Sequence, residues 1–172
     1  MFNEKLAKSL FLIVLLISLL LPIYFYDQLP ERIASHFNFR NEADGWMNKL
    51  SYLFLHYGLI FFFVAIFSGL GYLMPRFPAS LINIPNKNYW LNDKRKNFTF
   101  TAIRALLFYL NSLCLLLFIV IDYLVYKANI SGTNKLWSFS WFIIVAFLIA
   151  TGYLTIKLII FFNNKENQTG EE

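Results

Sequence analysis

Residues 52–74 read YLFLHYGLIFFFVAIFSGLGYLM and contain no Asp, Glu, Lys or Arg. An α-helix rises about 1.5 Å per residue, so roughly 20 apolar residues are needed to cross a hydrocarbon core about 30 Å thick. No water is available inside that core, and only a segment that pairs its own backbone groups is stable there. The stretch therefore predicts a membrane-spanning helix.

Three further stretches meet the same requirement, and they are residues 6–26, 102–126 and 136–162. The first follows Lys5 and Lys8 but lacks the small-residue cleavage site of a secretory signal, so we expect it to remain as a helix. The sequence thus predicts an all-α membrane protein with four transmembrane helices. A small structured outer loop is expected between the first two.

The composition excludes an ordinary soluble protein. Hydrophobic residues make up 58% of the chain and charged residues only 15%, against about 25% charged residues in typical soluble domains. At this length one domain is expected, over residues 1–162. Residues 163–172 are polar, end in two glutamates and are predicted to form a disordered tail.

The charge pattern and the missing motifs exclude several classes of function. The net charge of +5 is spread over short loops and forms no basic patch that would bind nucleic acid. The expected partner is instead the lipid bilayer. No nucleophile and base arrangement and no dinucleotide-binding loop is present, and the single cysteine, Cys114, is expected to pack in an apolar run. Neither an enzymatic activity nor a cofactor is predicted.

Lys and Arg residues are distributed unevenly between the two sides that the four spans define. Ten lie on the side of the N-terminus: Lys5, Lys8, Arg76, Lys87, Lys94, Arg95, Lys96, Arg104, Lys157 and Lys165. Five lie on the other side: Arg32, Arg40, Lys49, Lys127 and Lys135. Because cytoplasmic loops retain positive charge during insertion, the sequence predicts a plasma-membrane protein with both termini in the cytoplasm.

Aromatic residues with a polar edge cluster near the predicted ends of the spans. Those near the outer boundary are Tyr24, Tyr26, Tyr52, Tyr126, Trp137 and Trp141, and those near the inner one are Tyr89 and Trp90. Such rings prefer the depth of the lipid headgroups. We therefore expect them to anchor the helices at the membrane surfaces.

The outer loop, residues 27–50, is too long and too varied for a minimal connection between two helices. Alternating apolar residues predict a short strand over residues 33–39, followed by a turn at residues 41–45. Side chains two apart in a strand share a face, so His36 and Asn38 are expected to point together.

Two segments carry a resemblance to a known family. LPERIASHFNFRNEADGW at residues 29–46, followed by Asn48 and Lys49, resembles a bacterial membrane domain of unknown function that occurs at the N-terminus of SdpI-type immunity proteins. NIPNKNYWLNDKRK at residues 83–96 is similar to the segment that follows the second helix in many members. The resemblance implies an immunity-like role in binding a membrane-active peptide.

The chain departs from this family pattern in two places. A glycine usually stands shortly before the aspartate of the outer loop, whereas this chain has Asn41, Glu42 and Ala43 there. SdpI-type proteins also carry further helices after this domain, and only four spans are predicted here.

Six residues are candidates for ligand binding: His36, Asn38, Asp44, Lys49, His56 and Asp122. His and Asp are competent ligands for Zn²⁺, but no spacing among these residues specifies a metal. For His36 the alternative is hydrogen bonding within the loop. For Asp122 the alternative is exposure at the membrane surface near Tyr123 and Tyr126.

Two functions of different classes remain open at this point. The outer loop favours a protein that senses or binds an extracellular ligand, such as a membrane-active peptide or another membrane protein. His56 and Asp122 lie within predicted spans, where ionisable groups usually have a function. They favour a small transporter or an ion-binding subunit.

Overall fold

The computed structural model describes residues 3–164 and contains five α-helices and one hairpin within that range. The elements in chain order are α1 (Glu4–Phe25), β1 (Arg32–Phe37), β2 (Ala43–Asn48), α2 (Lys49–Leu73), α3 (Lys87–Trp90), α4 (Lys96–Ile130) and α5 (Ser140–Asn163). The helices α1, α2, α4 and α5 are each long and apolar enough to cross a membrane. The predicted fold class is confirmed. Most of the predicted disordered tail, residues 165–172, lies outside the described residues.

The ends of α4 and α5 differ from the predicted spans. Helix α4 begins at Lys96 and ends at Ile130, beyond the predicted limits of 102 and 126, and α5 begins at Ser140 instead of 136. At about 1.5 Å per residue, the 35 residues of α4 extend well past a hydrocarbon core about 30 Å thick. Hydropathy identifies only the part of a helix that lies in lipid, so it does not predict the first and last turns of α4.

Helix α4 is the centre of the bundle. It packs against α1, α2 and α5, whereas α1 and α2 touch each other little. One face of α4 carries residues that recur every three or four positions and lie toward α1 and α2. These inner-face residues are Arg104, Phe108, Asn111, Leu115, Asp122, Tyr126 and Asn129, and all except the half-buried Arg104 are buried.

Three polar residues of this inner face each contact a different neighbouring element. The Arg104 guanidinium donates two hydrogen bonds to the Glu4 carboxylate of α1, at 2.5 and 3.0 Å. Asp122 faces α2, and Asn129 faces the hairpin. Helices in a bilayer gain no hydrophobic energy by leaving lipid for each other, so such contacts specify their arrangement.

The hairpin is locked onto the end of the bundle through the edge of β1. The Asn129 side chain accepts from the Ala34 amide at 2.7 Å and donates to the Ala34 carbonyl at 3.0 Å. Ile33 and Ala34 are completely buried, and Ile33 packs beside Tyr52 and Tyr126. The hairpin is therefore an ordered part of the fold.

The tip of the hairpin also contacts the connection between α4 and α5. The Ala43 amide donates to the Asn134 carbonyl at 2.9 Å, and the Leu136 amide donates to the Asn41 carbonyl at 2.9 Å. Lys135 Nζ lies 2.9 Å from the Glu42 carboxylate, and its hydrogen bond lowers the pKa of that carboxyl.

The predicted strand is present, but the predicted turn at residues 41–45 is wrong. Strand β1 ends at Phe37, and the turn covers residues 38–42. The Asn38 side chain accepts from the amides of Arg40 and Glu42, which closes the turn three residues earlier than expected. Asp44 and Gly45 consequently belong to β2, where a Cβ on Gly45 would lie only 2.9 Å from the Cβ of His36.

Three of the expected surface anchors are buried. Tyr52 and Tyr126 pack in the core at the hairpin end, and Trp90 packs against Phe161 and Phe162 at the opposite end. The Trp90 indole donates to the Phe162 carbonyl at 2.8 Å. The Tyr52 hydroxyl also has a hydrogen-bond partner inside the bundle, Asp122. The anchor prediction is therefore wrong for Tyr52, Tyr126 and Trp90. Tyr24, Trp137 and Trp141 are exposed.

We expect Asn129→Leu to release the hairpin, because it leaves the Ala34 amide and carbonyl buried without partners, at a cost of about 1–3 kcal/mol each. Hydrogen exchange of residues 32–48 should accelerate at least about tenfold, which corresponds to about 1.4 kcal/mol. Asn88→Leu changes an exposed asparagine at the opposite end and is the matched control. Unchanged exchange in Asn129→Leu would show that this side chain does not hold the hairpin.

Candidate functional site

Each of the chain's two histidines is paired with an aspartate. His36 and Asp44 lie on the hairpin, and His56 and Asp122 lie inside the bundle. Four of the six candidate residues are thus brought together as two pairs, one exposed and one buried.

The exposed pair bridges the two strands of the hairpin. His36 Nδ1 lies 2.5 Å from Asp44 Oδ1, and 75% of the His36 side chain is accessible to solvent. Trp46 is two residues beyond Asp44 in β2 and is also exposed, so it shares the outward face. This hairpin face, formed by His36, Asp44 and Trp46, combines a pair of ionisable groups with a large indole ring.

The other two candidate residues make contacts that hold the hairpin. Asn38 lies directly after β1 and closes the turn, as described above. Lys49 is buried and donates to the Leu29 carbonyl at 3.1 Å, and its Nζ lies 3.3 Å from the Glu31 carboxylate. It also lies over the Tyr26 ring. These contacts tie the base of the hairpin to the end of α1.

One contact of the buried pair depends on a proline in α1. Pro22 has no N–H, so the carbonyl of Ser18, four residues earlier, cannot make its usual helical hydrogen bond. His56 Nε2 lies 3.1 Å from that carbonyl and takes the missing place as donor. The proline and the histidine thus satisfy each other across two helices.

Asp122 contacts two residues of α2. The Tyr52 hydroxyl donates to Asp122 Oδ1 at 2.6 Å, and His56 Nδ1 lies 2.6 Å from Oδ2 in an ion-pair contact without ideal hydrogen-bond alignment. Asp122 is only 6% exposed. The alternative that it lies exposed at the membrane surface is therefore wrong, because the inner face of α4 turns it toward α2.

The Ser18 carbonyl determines where one proton of His56 lies. A carbonyl can only accept, so His56 Nε2 carries a proton. The other ring nitrogen, Nδ1, lies 2.6 Å from Asp122 Oδ2. The histidine and the aspartate therefore form a buried contact pair between α2 and α4.

Further buried polar groups lie on the same helices and were not predicted as site residues. The Ser18 hydroxyl, the Tyr126 hydroxyl and the Asn111 side-chain amide have no hydrogen-bond partner among the described residues. The sequence does contain a signal for Tyr126. It stands four residues after Asp122 on the same helix face, as Tyr52 stands four residues before His56.

Within residues 3–164, no group of three or more His, Cys, Asp or Glu side chains is placed to hold a metal ion.

The comparisons with known proteins support part of the family resemblance. Residues 13–67 match the model of a family described as a domain of unknown function (DUF1648), which is about a third of the chain. The match covers most of α1, the hairpin and most of α2, and it includes His36, Asp44 and His56 but not Asp122. No curated protein and no solved structure matches the chain.

The hydrogen-bond scheme predicts the state of the His56 ring. In His36→Gln, His56 is the sole histidine, and solid-state nitrogen NMR should show a protonated Nε2. Pro22→Ala restores a helical donor for the Ser18 carbonyl and should shift the Nε2 resonance, whereas Asp122→Asn should shift Nδ1. Pro78→Ala, in a connecting loop, is the control and should change neither. An Nε2 atom without a proton would contradict the scheme.

Proposed function

We propose that this chain is a plasma-membrane protein that binds a membrane-active peptide outside the cell, in the manner of an immunity protein. The observation that carries the proposal is the hairpin face. Its His36–Asp44 pair and Trp46 are exposed, while the opposite side of the hairpin is buried against the bundle.

A face held in this way is suited to recognition. Asn129 and Lys49 fix the hairpin, so a ligand would not lose affinity by ordering a loop. Exposed aromatic residues with a polar edge are typical centres of binding energy. At the hairpin tip, Phe39 is 89% exposed and stacks on Trp141 at the start of α5. The hairpin thus offers apolar and polar contacts, both of which an amphipathic peptide could use.

The proposed orientation rests on the distribution of charge about the described helices. The first two turns of α1 carry Lys5 and Lys8, and the first turn of α4 carries Lys96; these turns lie at the end of the bundle opposite the hairpin. Lys94 and Arg95 stand immediately before α4. Positive charge retained in the cytoplasm would place the hairpin outside the cell.

Cysteine labelling tests this orientation. In a Cys114→Ser background, Arg40→Cys on the hairpin turn should react with an impermeant maleimide in intact cells, because both position and side chain are exposed. Lys94→Cys, equally exposed at the other end, should react only after permeabilisation. The reverse pattern would place the hairpin in the cytoplasm.

Substitution of the hairpin face tests the binding function. His36→Gln, Asp44→Asn and Trp46→Ala alter exposed groups and should change the free energy of unfolding by about 0.5 kcal/mol or less. Cells that produce these variants should survive a challenge with amphipathic membrane-active peptides less well than cells that produce the wild type. Asp93→Asn, an exposed carboxylate at the opposite end, should protect like the wild type.

Equal protection by all variants at equal protein levels would contradict a binding role for the hairpin face. Loss of the protein from the membrane in His36→Gln or Asp44→Asn would show that the pair is needed for folding, as the alternative for His36 supposes.

The buried pair favours a second candidate function, an ion-binding subunit or small transporter that handles protons. The carrying observation is the contact between His56 and Asp122, which is enclosed by three helices. Ser18 and Asn111 supply further buried polar groups along α1 and α4. Ionisable residues inside membrane spans commonly mark proton or ion paths.

A proton-flux measurement tests this second candidate. Proteoliposomes with an internal pH dye should dissipate an imposed pH gradient faster than protein-free vesicles, and Asp122→Asn should abolish the difference because it removes the carboxylate. Asp44→Asn is the matched control and should retain the flux. Identical rates in wild-type and protein-free vesicles would exclude proton transport by the isolated chain.

A further inference from the structure

Helix α5 packs against α4 and leaves much of its surface exposed. The buried residues of α5 are Phe161 and Phe162, close to its C-terminal end. Further along, a cavity of about 320 Å³ opens between the two helices, and every residue that lines it is apolar. Leu113, Leu117 and Val120 of α4 face Ile143, Ala146 and Ala150 of α5 across it.

A second cavity of about 400 Å³ lies nearer the hairpin end, beside α4 and its connection to α5. Leu124, Lys127 and Ser131 follow Val120 at intervals of three or four residues, so both cavities lie along one face of α4. The distance from Leu113 to Lys127 along the helix is about 21 Å at about 1.5 Å per residue. The two cavities, together called the crevice, thus follow one face of α4, and the crevice is apolar at one end.

The other end of the crevice carries positive charge and hydroxyl groups. Lys127 makes no ion pair with any residue between 3 and 164, and its Nζ lies 5.8 Å from the centre of the Tyr123 ring. Lys135 pairs with Glu42, which leaves one net positive charge among these three residues. Ser131 and Thr133 line the same cavity, where the Ser131 hydroxyl donates to the Ala128 carbonyl at 3.3 Å and lies 3.1 Å from the Thr133 hydroxyl.

We propose that this crevice binds an anionic membrane phospholipid. One acyl chain occupies the apolar part between α4 and α5, and the phosphate lies between Lys127 and Lys135, with Thr133 as a hydroxyl donor. Charge complementarity selects an anionic headgroup. Each cavity has the volume of a typical small-molecule site, roughly 300–1,000 Å³. The apolar part lies between two helices that are long and apolar enough to cross a membrane. Lipid acyl chains surround such helices and can enter the cavity.

The lipid would occupy a position from which it reaches the hairpin. The connection between α4 and α5 borders the second cavity and contacts the hairpin tip. The contacts are Asn134 with Ala43 and Trp137 with Asn41. A bound phosphate that engages Lys135 also competes with Glu42 for that lysine. The inference is independent of the peptide that the hairpin face is proposed to bind.

Lipid retention by the full chain tests the proposal. The protein is purified from mixed vesicles of phosphatidylglycerol and phosphatidylcholine with identical acyl chains, and bound lipid is measured by native mass spectrometry. We expect phosphatidylglycerol to be retained preferentially. Lys127→Gln should reduce its retention about fivefold, the equivalent of about 1 kcal/mol for one lysine near an anionic group. Lys94→Gln, an exposed basic residue at the opposite end, is the control and should have no effect.

Two further variants separate the acyl chain from the charge. Ala150→Phe fills the apolar part and should abolish retention, whereas Ala65→Phe on the exposed side of α2 should not. Glu42→Gln frees Lys135 and should increase retention. Equal binding of the two lipids, or normal retention by Ala150→Phe, would overturn the proposal.

Discussion

The absence of water in the hydrocarbon core is the constraint on which this structure depends. Helices gain little by exchanging lipid for each other, so the polar groups on the inner face of α4 decide what packs there. Arg104 holds α1, Asp122 holds α2, and Asn129 holds the hairpin. Each contact pairs a group that would otherwise be buried alone, at a cost of several kcal/mol. The other faces of the helices are apolar and are expected to contact lipid. The buried residues of α5 lie near its C-terminal end.

The two candidate functions share this helix. Asp122 and Asn129 lie seven residues apart on the inner face of α4, so the buried pair and the hairpin anchor are two turns from each other. Asp122 contacts His56 and Tyr52 of α2, and α2 begins directly after β2. The structure thus provides a short physical connection between the exposed pair and the buried pair.

The sequence was sufficient to predict four spans, the presence of a strand in the outer loop and the residues of both pairs. It did not predict the pairing. His36 and Asp44 meet because Asn38 closes the turn early and Gly45 allows close approach, and neither effect appears in a pattern of apolar residues. His56 meets the Ser18 carbonyl because Pro22 leaves it unpaired, which requires knowledge of how two helices face each other. Tyr52 and Tyr126 look like surface anchors from their position but are buried, because hydropathy does not indicate which helix face is inside.

A double-mutant cycle on His56 and Asp122 tests most directly whether polar contacts of α4 hold the bundle together. His56→Leu, Asp122→Leu and the double variant are unfolded in the same detergent, with Tyr123→Phe as an exposed control on α4. Each single change leaves a buried ionisable group without its partner and should cost about 3–5 kcal/mol. The double change should cost less than the sum, with a coupling of about 1–3 kcal/mol. Single costs that add to within about 0.5 kcal/mol would contradict the account, because they would show that the two side chains do not stabilise each other.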